Sequence, residues 1–238
     1  MNKAVRQSGE SGGLVDQAIT DIRALIRDQG LMPGQALPSE TAISEQLSVS
    51  RAVVREAFRA LSALHVLEIG NGRRARVAPP DAAPLSVVLD HTVQMREVSI
   101  QQILDMRRTL ELRAVSLAAL RRSDAEARLL QDIVARMFTV LELPDQMMEL
   151  DIAFHEAIAR ASGNPLYGQI VGAFRVITRQ TWAIGWRSRA TEENRRENIR
   201  CHERIATAIA VQDPLRAEEA MGEHFDSAMT VLLQAGVT

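Results

Sequence analysis

The sequence predicts a mainly α protein in two parts: a small unit of three helices and a hairpin, then an all-α bundle of six or seven helices. Three observations lead there. Apolar residues recur at helical spacing along most of the 238 residues. Strand-like patterns are confined to "VLEI" and "ARVA", which flank Gly70-Asn71-Gly72. Between the two parts, "APPDAAP" places three prolines in seven residues, a composition that stiffens a connection and resists regular structure. The expected division is an arm at 1–12, a first domain at 13–78, a linker at 79–85 and a helical domain at 86–238.

Taken in order, "MNKAVRQSGESGG" is polar and rich in Gly and Ser, with no apolar core of a signal peptide, and reads as a mobile arm. "LVDQAITDIRALIRDQG" aligns Leu14, Ala18, Ile22, Leu25 and Ile26 on one stripe and stops at Gly30. Ser39 is placed to cap "ETAISEQL", and Ser50 to cap "RAVVREAFRALSALHVL". Only "SV" separates those two helices, so they must be joined by a tight turn. Beyond the linker, helical patterns run over about 86–96, 99–122, 124–142, 146–162, 165–186, 190–212 and 214–235. They break at Ser123-Asp124, Leu143-Pro144, Gly163-Asn164-Pro165 and Asp213-Pro214.

Composition narrows the functional classes. With 46% hydrophobic and 24% charged residues the chain can build a core. No apolar run approaches the ~20 residues of a membrane span. A single cysteine, Cys201, excludes an internal disulfide framework and suits a reducing cytoplasm. The net charge of −2 argues against a protein that coats nucleic acid all over. Its distribution says more. Arginines 51, 55, 59, 73, 74 and 76 face only Glu56 and Glu68 within 50–79, a basic island in an acidic chain.

Three helices, a tight turn and a basic hairpin describe a winged helix-turn-helix. Arginines in the first turns of a helix can enter the major groove while a hairpin tip reaches the backbone or minor groove. Arg51 and Arg55 are four apart near such a start, with Val53, Val54, Ala57, Phe58 and Leu61 on the apolar side. The stretch "GQALPSETAISEQLSVSRAVVREAFRALSALHVLEIGNGRRARV" resembles the N-terminal domain of GntR-type bacterial regulators over some 45 residues. The resemblance implies that Arg51 and Arg55 contact bases or phosphates, and that Ser50 caps the helix beside a phosphate. It further implies that Asn71, Gly72 and Arg73 form a wing tip in the minor groove. Two positions depart from the frame: Thr41 stands where relatives often carry arginine, and Arg74 where many carry a second wing glycine.

The second half raises a different question. In "ELDIAFHEAIARASGN", Met148, Asp151, His155 and Ile158 fall at spacings of three and four and share a helix face. His202 interrupts the stripe of Ile199, Ile205, Ala206 and Ile209, and His224 interrupts that of Met221, Phe225 and Ala228. A single such histidine is ordinarily a hydrogen-bonded core residue. Three of them, with an aspartate one turn from the first, are costly to bury unless one group compensates all four. A divalent cation does so, binding neutral imidazole and carboxylate. Arg107 shares a stripe with Ile103, Leu104, Leu110 and Ala114 and should point inward, either pairing with Glu111 or offering its guanidinium to a carboxylate ligand.

This half resembles the FCD domain, the all-helical effector module of FadR-type GntR regulators, over nearly all of 95–233. "ILDMRRTLELRAVSLAA" and the "SGNP" turn add to the likeness. The resemblance implies that Asp151, His155, His202 and His224 hold one metal at the centre of the bundle. Zinc is the first choice, with nickel or another borderline ion second. A small organic acid would place one end on the metal and the other near Arg107. Together the two resemblances imply a cytoplasmic bacterial regulator, most simply a repressor. It would bind a short inverted-repeat DNA operator as a homodimer and have no membrane partner. The competing reading is a metal-dependent hydrolase or isomerase using the same four residues. Against it, "HEAIA" lacks the second histidine of H-E-x-x-H, with Ala159 at the last expected place, just before Arg160, and Glu156 should point away from the face of His155.

Overall fold

A computed structural model describes residues 4–70 and 72–236. The chain divides into two compact units, 1–84 and 85–238.

In the first unit, α1 (Ala4–Asp28), α2 (Glu40–Leu47) and α3 (Arg51–Ala63) precede a hairpin of β1 (Leu67–Glu68) and β2 (Arg76–Val77). Of the stripe read from sequence, Ala18 and Ile22 of α1 pack with Ile43 of α2, Val54, Ala57, Phe58 and Leu61 of α3, and Leu67 and Val77 of the hairpin, whereas Leu14 at the start of the stripe is exposed. The helix starts at Ala4, inside the stretch expected as an arm. Extending a helix already nucleated costs less than starting one, so a Gly- and Ser-containing segment can continue the amphipathic helix from Leu14 backwards. Both caps form. Ser39 Oγ accepts from Ala42 N at 3.2 Å and Ser50 Oγ from Val53 N at 3.3 Å. The intervening turn is closed by Ser48 in the left-handed region, φ 54°, with its N–H directed to the carbonyl of Glu45. Ser50→Ala should therefore lower the stability of this unit by about 1 kcal/mol, read as a shift of its urea midpoint; no shift would remove the cap from the energetics.

The hairpin is shorter than the two four-residue patterns. Leu67 pairs with Val77 and Glu68 with Arg76 in antiparallel register. Arg73 N donates to Gly70 O at 3.2 Å, and Gly72 takes φ +68°, a left-handed conformation that suits glycine.

Helix α4 (Ala83–Gln94), all but its first two residues in the second unit, begins inside the stretch expected as a linker, with Pro84 in its first turn, where a missing N–H leaves no helical bond unmade. Then follow α5 (Ile100–Arg121), α6 (Asp124–Thr139), α7 (Pro144–Ala161), α8 (Pro165–Ala173), α9 (Arg175–Ser188), α10 (Glu192–Ala210) and α11 (Pro214–Gln234). The helix expected over 165–186 is two, because the chain turns at Phe174. The bundle thus has eight helices among the described residues. Phe174, 2% exposed, packs there with Ile103 and Ile177. The remaining breaks fall where the sequence put them. Ser99 with Gln102 and Ser123 with Glu126 form reciprocal capping boxes on α5 and α6. Pro144, Pro165 and Pro214 open α7, α8 and α11.

The packing order matters for function. Helix α5 lies against α7, α10 and α11, and α6 packs against α7 and α10. The core between them includes Val115, Leu130, Met137, Phe154, Ile158, Ile205, Ile209 and Met221. Residues one helical turn apart on α7, α10 and α11 are thereby aimed at a common axis beside α5.

Candidate functional site

Asp151 and His155 on α7, His202 on α10 and His224 on α11 converge inside the bundle. One ligand-capable atom from each lies within 4.8 Å of the other three. The three histidines are 2%, 1% and 7% exposed. His202 is oriented from both sides: its Nδ1 contacts the carbonyl of Asn198 at 2.9 Å and its Nε2 faces Asp151 Oδ1 at 3.0 Å. His155 is held by its Nδ1 on Glu111 Oε2, which turns Nε2 as its free ring nitrogen. His224 Nδ1 is buried with no hydrogen-bond partner. The imidazole rings of His202 and His224 are 4.5 Å apart, and Phe154 and Phe225 close the sides.

Electrostatics match a cation. Burial, then the neighbouring His202 and His155, hold the His224 imidazole well below its usual range, so it is neutral and able to donate a lone pair. Burial would push the Asp151 carboxyl up. The His202 hydrogen bond and the three imidazoles outweigh that, and the group lies well below the ordinary carboxylate range. Three imidazoles, one carboxylate and a buried His224 nitrogen without a hydrogen bond fit a borderline divalent metal. The group could hold one.

Arg107 does point inward, at 8% exposure, but it is already engaged. Its Nε donates to Glu111 Oε1, its Nη1 donates to Thr178 Oγ1 at 2.8 Å, and its Cζ lies 5.6 Å from the centre of the Phe225 ring. Both alternatives open from sequence therefore meet in one side chain, which pairs with Glu111 and also lines the cavity beside Asp151, His155 and His224. That cavity, about 80 Å³, is walled further by Thr181, Trp182, Trp186, Asn198 and Arg189. The sequence assigned no role at the site to Arg189, nor to Glu111 as the support of His155. The spacing that revealed the histidines was there: Thr178, Thr181, Trp182, Gly185 and Arg189 recur at three and four along α9 and its end. Glu156 binds Arg175 and Arg160 outside the cluster, as its position on the helix required.

On the first unit, Arg51 is exposed at the start of α3 and Arg55, one turn on, meets Glu40 at 3.3 Å. That pair is half exposed and weakly held, so it is easily exchanged for a phosphate. Arg73 and Arg74 are exposed on the hairpin beside Gly72, and Ser50 spends its hydroxyl on the cap. Asn71 lies outside the described residues.

A helix-turn-helix with a basic hairpin, followed by a helical bundle with an Asp and three His at its centre, belongs with transcriptional regulators rather than enzymes, as the family matches show. Residues 14–77 match the model of the bacterial regulatory proteins of the gntR family, and residues 102–227 match the FCD domain. The HTH-type transcriptional regulator LutR of Bacillus subtilis is 31% identical over 215 residues, 87% of this chain and 96% of LutR. The galactonate operon transcriptional repressor of Escherichia coli K12 is 28% identical over 79% of this chain and 83% of its own length. The transcriptional repressor NanR of Enterobacter is 28% identical over 90% and 83%. A solved Streptococcus agalactiae GntR shares the fold, with a TM-score of 0.64 at 23% identity, covering 90% of this chain and 98% of its own. The chain belongs to the GntR family, with an FCD domain as its second unit. No helix among the described residues is long and apolar enough to cross a membrane.

Proposed function

We propose that this regulator is a cytoplasmic repressor, acting as a homodimer on a short inverted repeat and controlled by a small organic acid bound at a metal in the FCD unit. The observation behind the reading is the convergence of Asp151, His155, His202 and His224 on one point that opens into a cavity lined by Arg107. Zinc suits the donor set best, and nickel is the second choice. A metal held there would supply an electrophilic seat for one carboxylate of the acid. The protein's own residues do the rest. Asn198 and Glu111 fix the His202 and His155 rings, Asp151 adds the anionic ligand, and Arg107 faces the acid's other end. Repression is favoured because two of the relatives are named as repressors. On the DNA side Ser50, Arg51 and Arg55 of α3 approach the duplex, with Asn71, Gly72 and Arg73 as the wing. An effector acts by binding one arrangement of the dimer better than the other.

Purified protein should hold one metal equivalent per chain, and His202→Ala should hold less than a tenth of that by elemental analysis. In a thermal-shift screen of small carboxylates on the zinc-loaded protein, a binder should raise the midpoint as expected for a ligand of the native state alone. That gain should shrink on chelation and in Arg107→Ala. A binder indifferent to both would refute the pocket.

A further inference from the structure

Arg189 presents a buried charge with no ion-pair partner among the described residues; Asp151 opposes it only through space. It sits at the end of α9 and is 9% exposed. Its Nη1 donates to the Gly185 carbonyl at 3.0 Å. Among the described residues no carboxylate lies within ion-pair distance of it, although it lines the same cavity as the metal-ligating cluster. Burying a guanidinium without a counter-ion is costly, and such groups are ordinarily paired. Capping the last turn of α9 satisfies one donor but leaves the charge.

The charges around the cavity make the shortfall specific. Arg107 is neutralised by Glu111 behind it. Asp151 is the one carboxylate on the cavity wall among the described residues, and it is committed to His202 and the cluster. A divalent ion on the cluster is half neutralised by Asp151, and Arg189 adds a further positive charge. The cavity then carries two uncompensated positive charges at two places, one at the cluster and one at Arg189. A monocarboxylate answers one of them. At about 80 Å³ the room is small, so a short molecule reaches both.

We propose that Arg189 is a specificity-determining residue and that the effector is a short dianion, a small dicarboxylate. One carboxylate faces the Asp151/His155/His202/His224 cluster and the other pairs with Arg189, with Arg107, its charge already balanced by Glu111, as a further donor on the same wall. The inference rests on the metal-pocket reading above and adds the effector's second charge.

The test is calorimetric titration of the full-length zinc-loaded protein with malonate, succinate and glutarate, each against the monocarboxylate of equal carbon number. At least one dicarboxylate should bind about tenfold tighter than its partner, the gain expected for one charge-assisted pair. In Arg189→Gln that preference should vanish while monocarboxylate affinity changes less than about twofold, and Arg189→Lys should recover part of it. A merely structural Arg189 would weaken both acids alike. Equal affinity for both classes in the wild type overturns the proposal without any variant, even if Arg189→Gln does not fold. So does a preference that survives in Arg189→Gln. If monocarboxylates bind in a metal-dependent way and no dicarboxylate is preferred, the Arg189 assignment alone falls. If none of the acids binds, or binding ignores chelation, the metal pocket falls with it.

Discussion

Replacing Glu111 by alanine should destabilise the helical unit by about 3–5 kcal/mol, the cost of breaking a buried pair and stranding one charge. Glu111 is 1% exposed and joins two functions with its two oxygens, Oε1 to Arg107 and Oε2 to His155. Burial would push its carboxyl up, but the Arg107 guanidinium and then His155 hold it below its ordinary value, so it is ionised in the fold. Truncation leaves the Arg107 guanidinium without its counter-ion and frees the His155 ring to rotate. Loss of such a partner behind a ligand histidine typically costs ~10–100-fold in metal affinity. Glu111→Gln keeps an acceptor and should lose less stability while still weakening the metal. Both are read by chemical denaturation of the metal-loaded protein and by competition with a chelating dye. A change below about 1 kcal/mol in Glu111→Ala, with unaltered metal affinity, would mean that the contact is incidental.

The second large effect falls on DNA. Arg51→Ala with Arg55→Ala should weaken binding to a duplex from the protein's own promoter by at least roughly 30-fold, since each arginine contact is worth about 1–3 kcal/mol. Folding should be spared. Arg51 is exposed, and the Arg55–Glu40 pair at 3.3 Å is at the surface, where such pairs contribute little. Anisotropy titrations at two salt concentrations separate the roles: a phosphate contact reduces the salt dependence, whereas a base contact relaxes sequence preference. Unchanged affinity would remove α3 from the DNA interface.

Much of this molecule is legible in its sequence, for a physical reason. Helix boundaries are written in local chemistry, so Ser39, Ser50, Ser123, Pro144 and Asp213-Pro214 sit where the helices start. Burial is written in periodicity, so the four candidate ligands stand out as polar interruptions of apolar stripes. What escapes is anything decided by partners distant in the chain. The turn at Phe174 has no proline or capping residue to announce it; Phe174 packs against Ile103, far away in sequence. Glu111 could be matched to Arg107 at i, i+4, but its second oxygen meets a histidine 44 residues on. Arg189 follows the spacing rule, yet arginine so often lies with its head in water that burial only becomes visible in three dimensions. At the N-terminus the same local logic misled: Gly and Ser suggested a mobile arm, and the neighbouring helix continues through it from Ala4.

Arg107, Glu111 and His155 form one hydrogen-bonded chain from the cavity wall to the Asp151/His155/His202/His224 cluster, with Thr178 at its outer end. On the proposed reading, an acid that engages Arg107 would act on the orientation of His155, and metal and effector affinities should be coupled in both directions. The most direct measurement is an anisotropy titration of a promoter duplex with zinc-loaded and chelated protein, repeated across a range of succinate, malonate and glutarate. At least one acid should shift the dissociation constant for DNA by about fivefold or more with metal present, and the shift should disappear on chelation and in His202→Ala. A DNA affinity that responds to the acid equally with and without metal would contradict control through this centre.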